Sequence, residues 1–529
     1  MTFWEKSRRI FKYLCENGRQ GVRRIALQTG LSKSSVHRLT HAMERRGVHP
    51  ESWMWETEEG RHWLTRLVVA TLYTFGLKRG VGVDTMSEFF ARLRLETHVG
   101  CSPSALRSVM HALDAALLET AGVWEKDACA GHEVREVIGA VDETFFAQMM
   151  LVFMDLRPGY LLHEDVAEDR TYTTWKAVVD ERLVALGASV RYLVSDRAKA
   201  LLQLADHGLE CLSMPDFFHV MHDLVQGYSL AIARRVRHAR QEYTKAEEVL
   251  RKQSPCEGPP QALLVAQHQV EVRHAEVLRW EGVHSTYRHH LAVLSLTLHP
   301  FHIDDSAPQT SAQVHSRLEA EVAAIATLAQ HHQCPVPHDV MKKVRKKLPD
   351  LAALVDFWWA GVRHDLEQAA ISSPWRQWAT ESLLPWVYWE HQVAHTRCAR
   401  RKTKIRQVGE TVRAAFHQHA LTLRLPAQAL EDWHTWATQQ VHAFQRASSA
   451  VEGRNGALAQ LHHNQRGLPK RRYKVWTVLH NFDCRAADGT TPAARFFRRG
   501  FPDLFETVLS QVEDLPRPRQ RNPITALSG

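Results

Sequence analysis

VIGAVDETFF, residues 137–146, is the stretch on which the fold turns. It opens with five small or branched apolar residues and reaches an aspartate, Asp142. A short apolar run with β-branched residues reads as a buried strand. Two more strand-like runs follow closely, 148–154 and 160–163, with Pro158 and Gly159 marking a tight turn between them. A helical pattern over 173–186 stops at Gly187, and a further apolar run, 191–195, leads into Asp196. The order strand, strand, strand, helix, strand predicts a mixed sheet flanked by helices. Each aspartate falls at the C-terminal end of an expected strand. If those strands are neighbours, both carboxylates reach one edge of the sheet, where open α/β sheets place their sites. Two carboxylates held together repel unless a cation neutralises them, and Mg²⁺ prefers carboxylate oxygen. Taken singly, an aspartate after a strand is also an ordinary turn residue.

Outward from this core the pattern is helical on both sides. Residues 1–125 show helical apolar spacing, and 22–46 read VRRIALQTGLSKSSVHRLTHAMERR. Ala26 permits close helix approach, Gly30 supplies the turn, and Ser32 can cap a second helix. With Ile25, Leu31, Val36 and Leu39 inside, the outer face presents Lys33, Ser34, Ser35, His37, Arg38 and His41 to a major groove. The same spacing also builds a plain helical hairpin. Residues 95–113 repeat it, but Glu96 stands where Ala26 did, so that segment is either a second reader or structural helix. Residues 126–224 make the first part of the core. A helical stretch over 225–445 interrupts it, with breaks at Pro259-Pro260 and 335–337. Residues 446–514 return to the core, and 515–529 form a loose tail.

Composition narrows the partners. Lys and Arg number 67 against 58 Asp and Glu, a formal net charge of +9. The basic residues cluster at 342–347, 400–406, 466–474 and 498–499, which favours a polyanion such as nucleic acid. The eight cysteines form no CxxC pair, which argues against a zinc site or a disulfide framework. No apolar stretch is long enough to span a bilayer, and the N-terminal residues lack a signal-peptide core. A soluble cytoplasmic protein, associated with the nucleoid, is the expectation.

A third acid lies far along the chain. Residues 448–468 read SSAVEGRNGALAQLHHNQRGL, with Glu452 near the start of a polar helical region. Together with VDETFF (141–146), YLVSDRAKAL (192–201), MPDFFHVMHDL (214–224), LLPWVYWEHQ (383–392) and TVLHNFDCRAADGTTPAARFF (477–497), this stretch resembles bacterial insertion-sequence transposases of the DDE type. The resemblance implies a ribonuclease H-like mixed sheet core of the α+β or α/β class, split by a large all-helical insertion and preceded by the helix-turn-helix region. It makes Asp142, Asp196 and Glu452 the catalytic acids and metal ligands. Glu143 and Asp155 are weaker choices for the first acid. The insertion is similar to that of hobo/Activator-type transposases, which carry a D/C-x-x-H motif after the second acid. Asp216 and His219 stand at that place here, His219 either beside the scissile phosphate or as a buried core histidine.

The implied activity is metal-dependent cleavage at the ends of a mobile element and strand transfer into target DNA. Two Mg²⁺ ions per site, replaceable by Mn²⁺, would serve an in-line displacement. The partners expected are double-stranded DNA and further copies of the chain, as a homodimer or larger assembly, with no membrane. Arg454 is expected on a DNA phosphate, and Asn455 shares the helical face of Glu452. Most tryptophans of the insertion should be core, with Trp386 or Trp389 the candidates to stack on a flipped base. The rival readings are a nuclease of the same fold without strand transfer, and a non-catalytic DNA-binding protein derived from a transposase.

Overall fold

The computed structural model describes residues 1–131, 134–146, 148–253, 260–334, 338–464 and 470–518. It is mostly helical. The chain opens with α1 (Phe3–Asn17), α2 (Val22–Thr29), α3 (Lys33–Arg46), α4 (Glu58–Thr71), α5 (Val83–Arg92) and α6 (Pro103–Cys129). It then enters β1 (Arg135–Phe145), β2 (Met149–Asp155) and β3 (Tyr160–Val166), followed by α7 (Tyr172–Leu186), β4 (Ala188–Ser195), α8 (Lys199–Gln203) and β5 (Leu212–Pro215). A helical series follows: α9 (Phe217–Gln253), α10 (Pro260–Thr297), α11 (Ser311–His331), α12 (His338–Gln368), α13 (Ser373–Trp378), α14 (Leu384–His395), α15 (Ala399–Gln418) and α16 (Ala427–His442). The chain closes with α17 (Ser449–Asn464), α18 (Lys470–Phe482), α19 (Pro492–Phe497) and α20 (Leu504–Ser510). Among the described residues no helix is long and apolar enough to cross a membrane.

The five strands form one sheet in the order β3-β2-β1-β4-β5. β2 runs antiparallel to β3, from Met150 opposite Val166 to Asp155 opposite Tyr160. β4 runs parallel to β5, from Tyr192 opposite Leu212 to Ser195 opposite Pro215. Residues 150–155 of β2 are buried without interruption, as expected for a strand covered on both faces. β1 is buried from Val137 to Val141 and partly exposed from Asp142 on. The strand does not end at Asp142, as the sequence suggested. It continues through Thr144 and Phe145, residue types that favour extended backbone. β5 was not foreseen, because four residues closing on a proline carry no alternation to read.

The chain forms two compact units. The first comprises Met1–Arg135, Glu143–Ser189 and Val451–Gly529, the second Glu136–Asp142 and Val190–Ala450. In the first, α1 to α3 pack around Ile10, Ile25, Val36, Leu39 and Met43. Gly30 ends α2 in the left-handed region at φ 66°, where a side chain is disfavoured. Ser32 caps α3 by accepting from the Ser35 amide at 3.2 Å. Arg46, at the end of α3, is buried against Glu56 at 2.6 Å and against the Ser7 hydroxyl at 2.9 Å, which ties the three helices to the segment after them. The second segment with helix-turn-helix spacing is structural: Leu95–Thr97 makes one short turn before α6, and the Gly100 amide donates to the Pro516 carbonyl at 2.6 Å.

In the second unit the helical series starts at Phe217 rather than 225. Its tryptophans anchor helix to helix through their indole N–H groups. Trp358 donates to the Gln440 carbonyl at 2.7 Å and Trp378 to the Thr422 hydroxyl at 2.8 Å. Such pairing lets a large ring be buried without a stranded donor. The breaks expected at Pro259 and at 335–337 and the tail beyond residue 518 lie outside the described residues.

Candidate active site and nucleic-acid interface

The sheet places two of the expected acids. Asp142 ends the buried run of β1, and β4, which leads directly into Asp196, is its neighbour. Asp196 also serves its own turn: one carboxylate oxygen accepts from the Ala198 amide at 2.8 Å. The next residue, Arg197, is left-handed at φ 66° and pairs with Asp350.

β5 delivers a further carboxylate, Asp216, which is 1% exposed. It accepts from the Phe218 amide at 2.8 Å, the Ser448 amide at 3.0 Å, the Ser448 hydroxyl at 2.5 Å and His219 Nδ1 at 2.7 Å. Burial pushes its carboxyl up, but the hydrogen bonds from His219 and Ser448 outweigh that and hold it below the ordinary carboxylate range. Because an ionised carboxylate only accepts, His219 Nδ1 carries the proton, and Nε2 is the ring nitrogen outside this bond. The ligand atoms of Asp142 and His219 lie within 4.8 Å of one another, close enough to share an ion. Among the described residues Asp196 falls outside that grouping. An imidazole oriented by a carboxylate on its other nitrogen is the usual arrangement of a metal-binding histidine.

Glu452 stands in the first turn of α17. Two residues on, Arg454 departs from expectation. It is buried and makes two 2.6 Å bonds to Glu164, to which Thr477 adds a third at 3.0 Å. A guanidinium committed in this way to a buried carboxylate does not hold a DNA phosphate. Asn455 is partly buried, three residues after Glu452. Glu143 accepts from the Trp175 indole at 3.3 Å, and Asp155 is 2% exposed at the end of β2, accepting from the Arg157 amide at 3.3 Å.

The motif around 477–497 has a structural account that the sequence did not give. His480 Nε2 bonds the Gly159 carbonyl at 2.8 Å, and Arg495 donates to the Pro158 carbonyl at 2.8 Å. Asn481 donates to the Leu161 carbonyl and accepts from the Leu161 amide, both at 2.9 Å. All three hold the β2–β3 hairpin.

Of the two tryptophans expected to stack on a base, Trp389 does not suit that role. Trp389 is 0% exposed, donates to the Ser306 hydroxyl at 3.0 Å and packs beside His299 and Tyr388, so no ring face is open. Trp386 is partly buried and stacks on Phe416 with centroids 4.5 Å apart, so protein covers one of its faces.

On α3, Lys33, Ser34, His37, Arg38 and His41 are exposed and Ser35 is partly so. The Ser32 hydroxyl engages both Ser35 at 2.8 Å and Ser34 at 3.2 Å. His41 bridges His37 and Glu44, each at 3.1 Å. Residues 5–48 match the IclR helix-turn-helix domain, and residues 379–524 match a family of unknown function (DUF6399). No curated protein matches the chain. The match and the exposed face of α3 together give the chain an N-terminal helix-turn-helix DNA-binding domain.

Proposed function

We propose that the chain is a DDE-type DNA transposase, with Asp142, Asp196 and Glu452 as its acids, that cleaves the ends of a mobile element and joins them to target DNA. The observation that carries this reading is the sheet itself. The order β3-β2-β1-β4-β5, with β4 parallel to β5, sets the strand bearing Asp142 beside the strand that leads into Asp196. That arrangement fits the ribonuclease H-like core implied by the resemblance. Glu452, in the first turn of α17, is the third acid of the proposal, and Asp216 bonds His219 at Nδ1.

The donors suit a hard divalent cation such as Mg²⁺ or Mn²⁺, since carboxylate oxygens dominate the set. Bound there, such an ion would help activate the attacking oxygen and stabilise the leaving one. The chain's own contribution is to set Asp142 and Asp196 on neighbouring strands and to keep the His219 proton on Nδ1, bonded to Asp216. The helix-turn-helix brings the DNA. Because two ends are cut together, a homodimer or larger assembly belongs to this proposal.

The test is cleavage of duplex DNA carrying the element's ends, with Mg²⁺ or Mn²⁺. Asp142→Ala, Asp196→Ala and Glu452→Ala should each abolish cleavage while end binding survives. Wild-type cleavage by Asp142→Ala would end the proposal. A second reading, a DNA-binding protein without cleavage, is favoured by the Asp196 carboxylate engaging its own turn. A metal-dependent product from the unaltered chain excludes it, and a strand-transfer assay separates transposase from nuclease.

A further inference from the structure

The second unit carries a groove that neither the acids nor the helix-turn-helix uses. An open cavity of about 780 Å³ runs along α9 and α10, lined in part by Val236, Arg237, Arg240, Lys245 and His284. A second, of about 600 Å³, shares Val236, Arg240 and His284 and adds Arg288, and the start of α15 supplies Cys398, Arg400 and Arg401. The shared residues make this one continuous trough. Six cations line it against one carboxylate, Glu281, which pairs with Arg240 at 2.6 Å. Arg237, Arg288 and Arg400 are exposed. So strong an excess of one sign in a concave surface focuses potential and concentrates a polyanion.

We infer that this trough binds the phosphodiester backbone of DNA, as a second contact tract separate from the helix-turn-helix. Arg237 and Lys245 are eight residues apart on α9, a rise of about 12 Å, which spans roughly three to four phosphates of one strand. A chain that already carries a DNA-reading domain favours DNA over an acidic protein as the occupant. The inference rests on DNA binding and not on the proposed chemistry.

Cys398 supplies a reporter inside the trough. It is exposed, and hydrogen bonds from the Arg401 amide and guanidinium hold its thiol below the ordinary value, which favours reaction with a maleimide. The experiment uses the full chain in EDTA, so that cleavage plays no part, and a duplex of arbitrary sequence. Site-resolved labelling should slow several-fold at Cys398 on saturation with DNA, and much less at the exposed Cys484. Arg237→Glu with Arg400→Glu should weaken binding about tenfold per cation near 0.1 M salt and lower the salt slope by about two, equally for all sequences. Arg38→Ala should instead relax preference at one position of a specific site. Unchanged Cys398 labelling at saturating DNA overturns the inference, and so does a double variant with wild-type affinity and slope. Protection by an acidic polypeptide but not by DNA overturns it too. The labelling arm needs no substitution, so a poorly folding variant leaves the question decidable.

Discussion

Glu164 and Asp216 are both buried carboxylates bonded to groups hundreds of residues away in the chain, yet their partners differ in kind. Glu164, in the first unit, is met by the full positive charge of Arg454 through two parallel bonds and by the Thr477 hydroxyl. Asp216, in the second, is met by two amides, a hydroxyl and an imidazole whose side chain is 29% exposed. The first network settles its charge internally and can only stabilise. The second keeps its charge on Asp216 and bonds a ring that is partly exposed, so it is open to a ligand from outside. A buried acid alone therefore says little about function. What it is paired with, and whether that partner faces outward, decides.

The largest effect expected from this contrast is Arg454→Ala, which leaves Glu164 buried without a counter-charge and should cost about 3–5 kcal/mol in urea unfolding. Adding Glu164→Leu to Arg454→Met should recover most of it. A cost for Arg454→Ala below about 1 kcal/mol, as for a surface pair, would mean that the network is not closed. Asp216→Asn removes the charge that keeps the His219 proton on Nδ1. It should weaken divalent-ion binding about 10–100-fold, read by Mn²⁺ titration, while costing less stability than Arg454→Ala. Unchanged ion affinity would make His219 a core histidine and erase the contrast. Ser448→Ala removes one donor to a charged carboxylate and should cost about 1.5–3 kcal/mol of stability, with Thr restoring it.

Acid should separate the two networks most gently. His163 and His480, in the first unit, are driven down to about 4 by burial from an ordinary value of 6.5. The unfolded chain binds those protons more readily, so their stabilising contribution is complete above pH 6.5 and is lost as pH falls toward 4. Asp216 is held below its ordinary value of 3.8, so its contribution persists above that value and is lost only at lower pH. Unfolding followed against pH should show two windows, and a single transition below pH 4 would contradict the histidine assignment.

The parts legible in the sequence were those whose physics is local. Gly30, Ser32 and the apolar positions of α2 and α3 lie within one short stretch, and each performs the role its type suggests. The strands before and after Asp142 could be read because buried strands are apolar runs. Roles set by distant partners could not. Arg454 looked like a phosphate contact because Glu164 lies 290 residues away. Asn481 and His480 had no readable role because their partners are backbone groups of β3 and the turn before it. Trp389 looked available because nothing in its neighbourhood announces Ser306, 83 residues earlier. The start of α9 was missed because β5, which fixes it, is only four residues long.

The side chain of Asn481 has a consequence for self-association. Among the described residues β3 is the outermost strand on its side of the sheet, and an outermost strand offers unpaired amides and carbonyls to any other extended chain. At Leu161 both groups are already occupied by a single carboxamide, which imitates one residue of a neighbouring strand. At this residue the edge is thus capped from within its own chain, and no other extended chain can pair with those two groups.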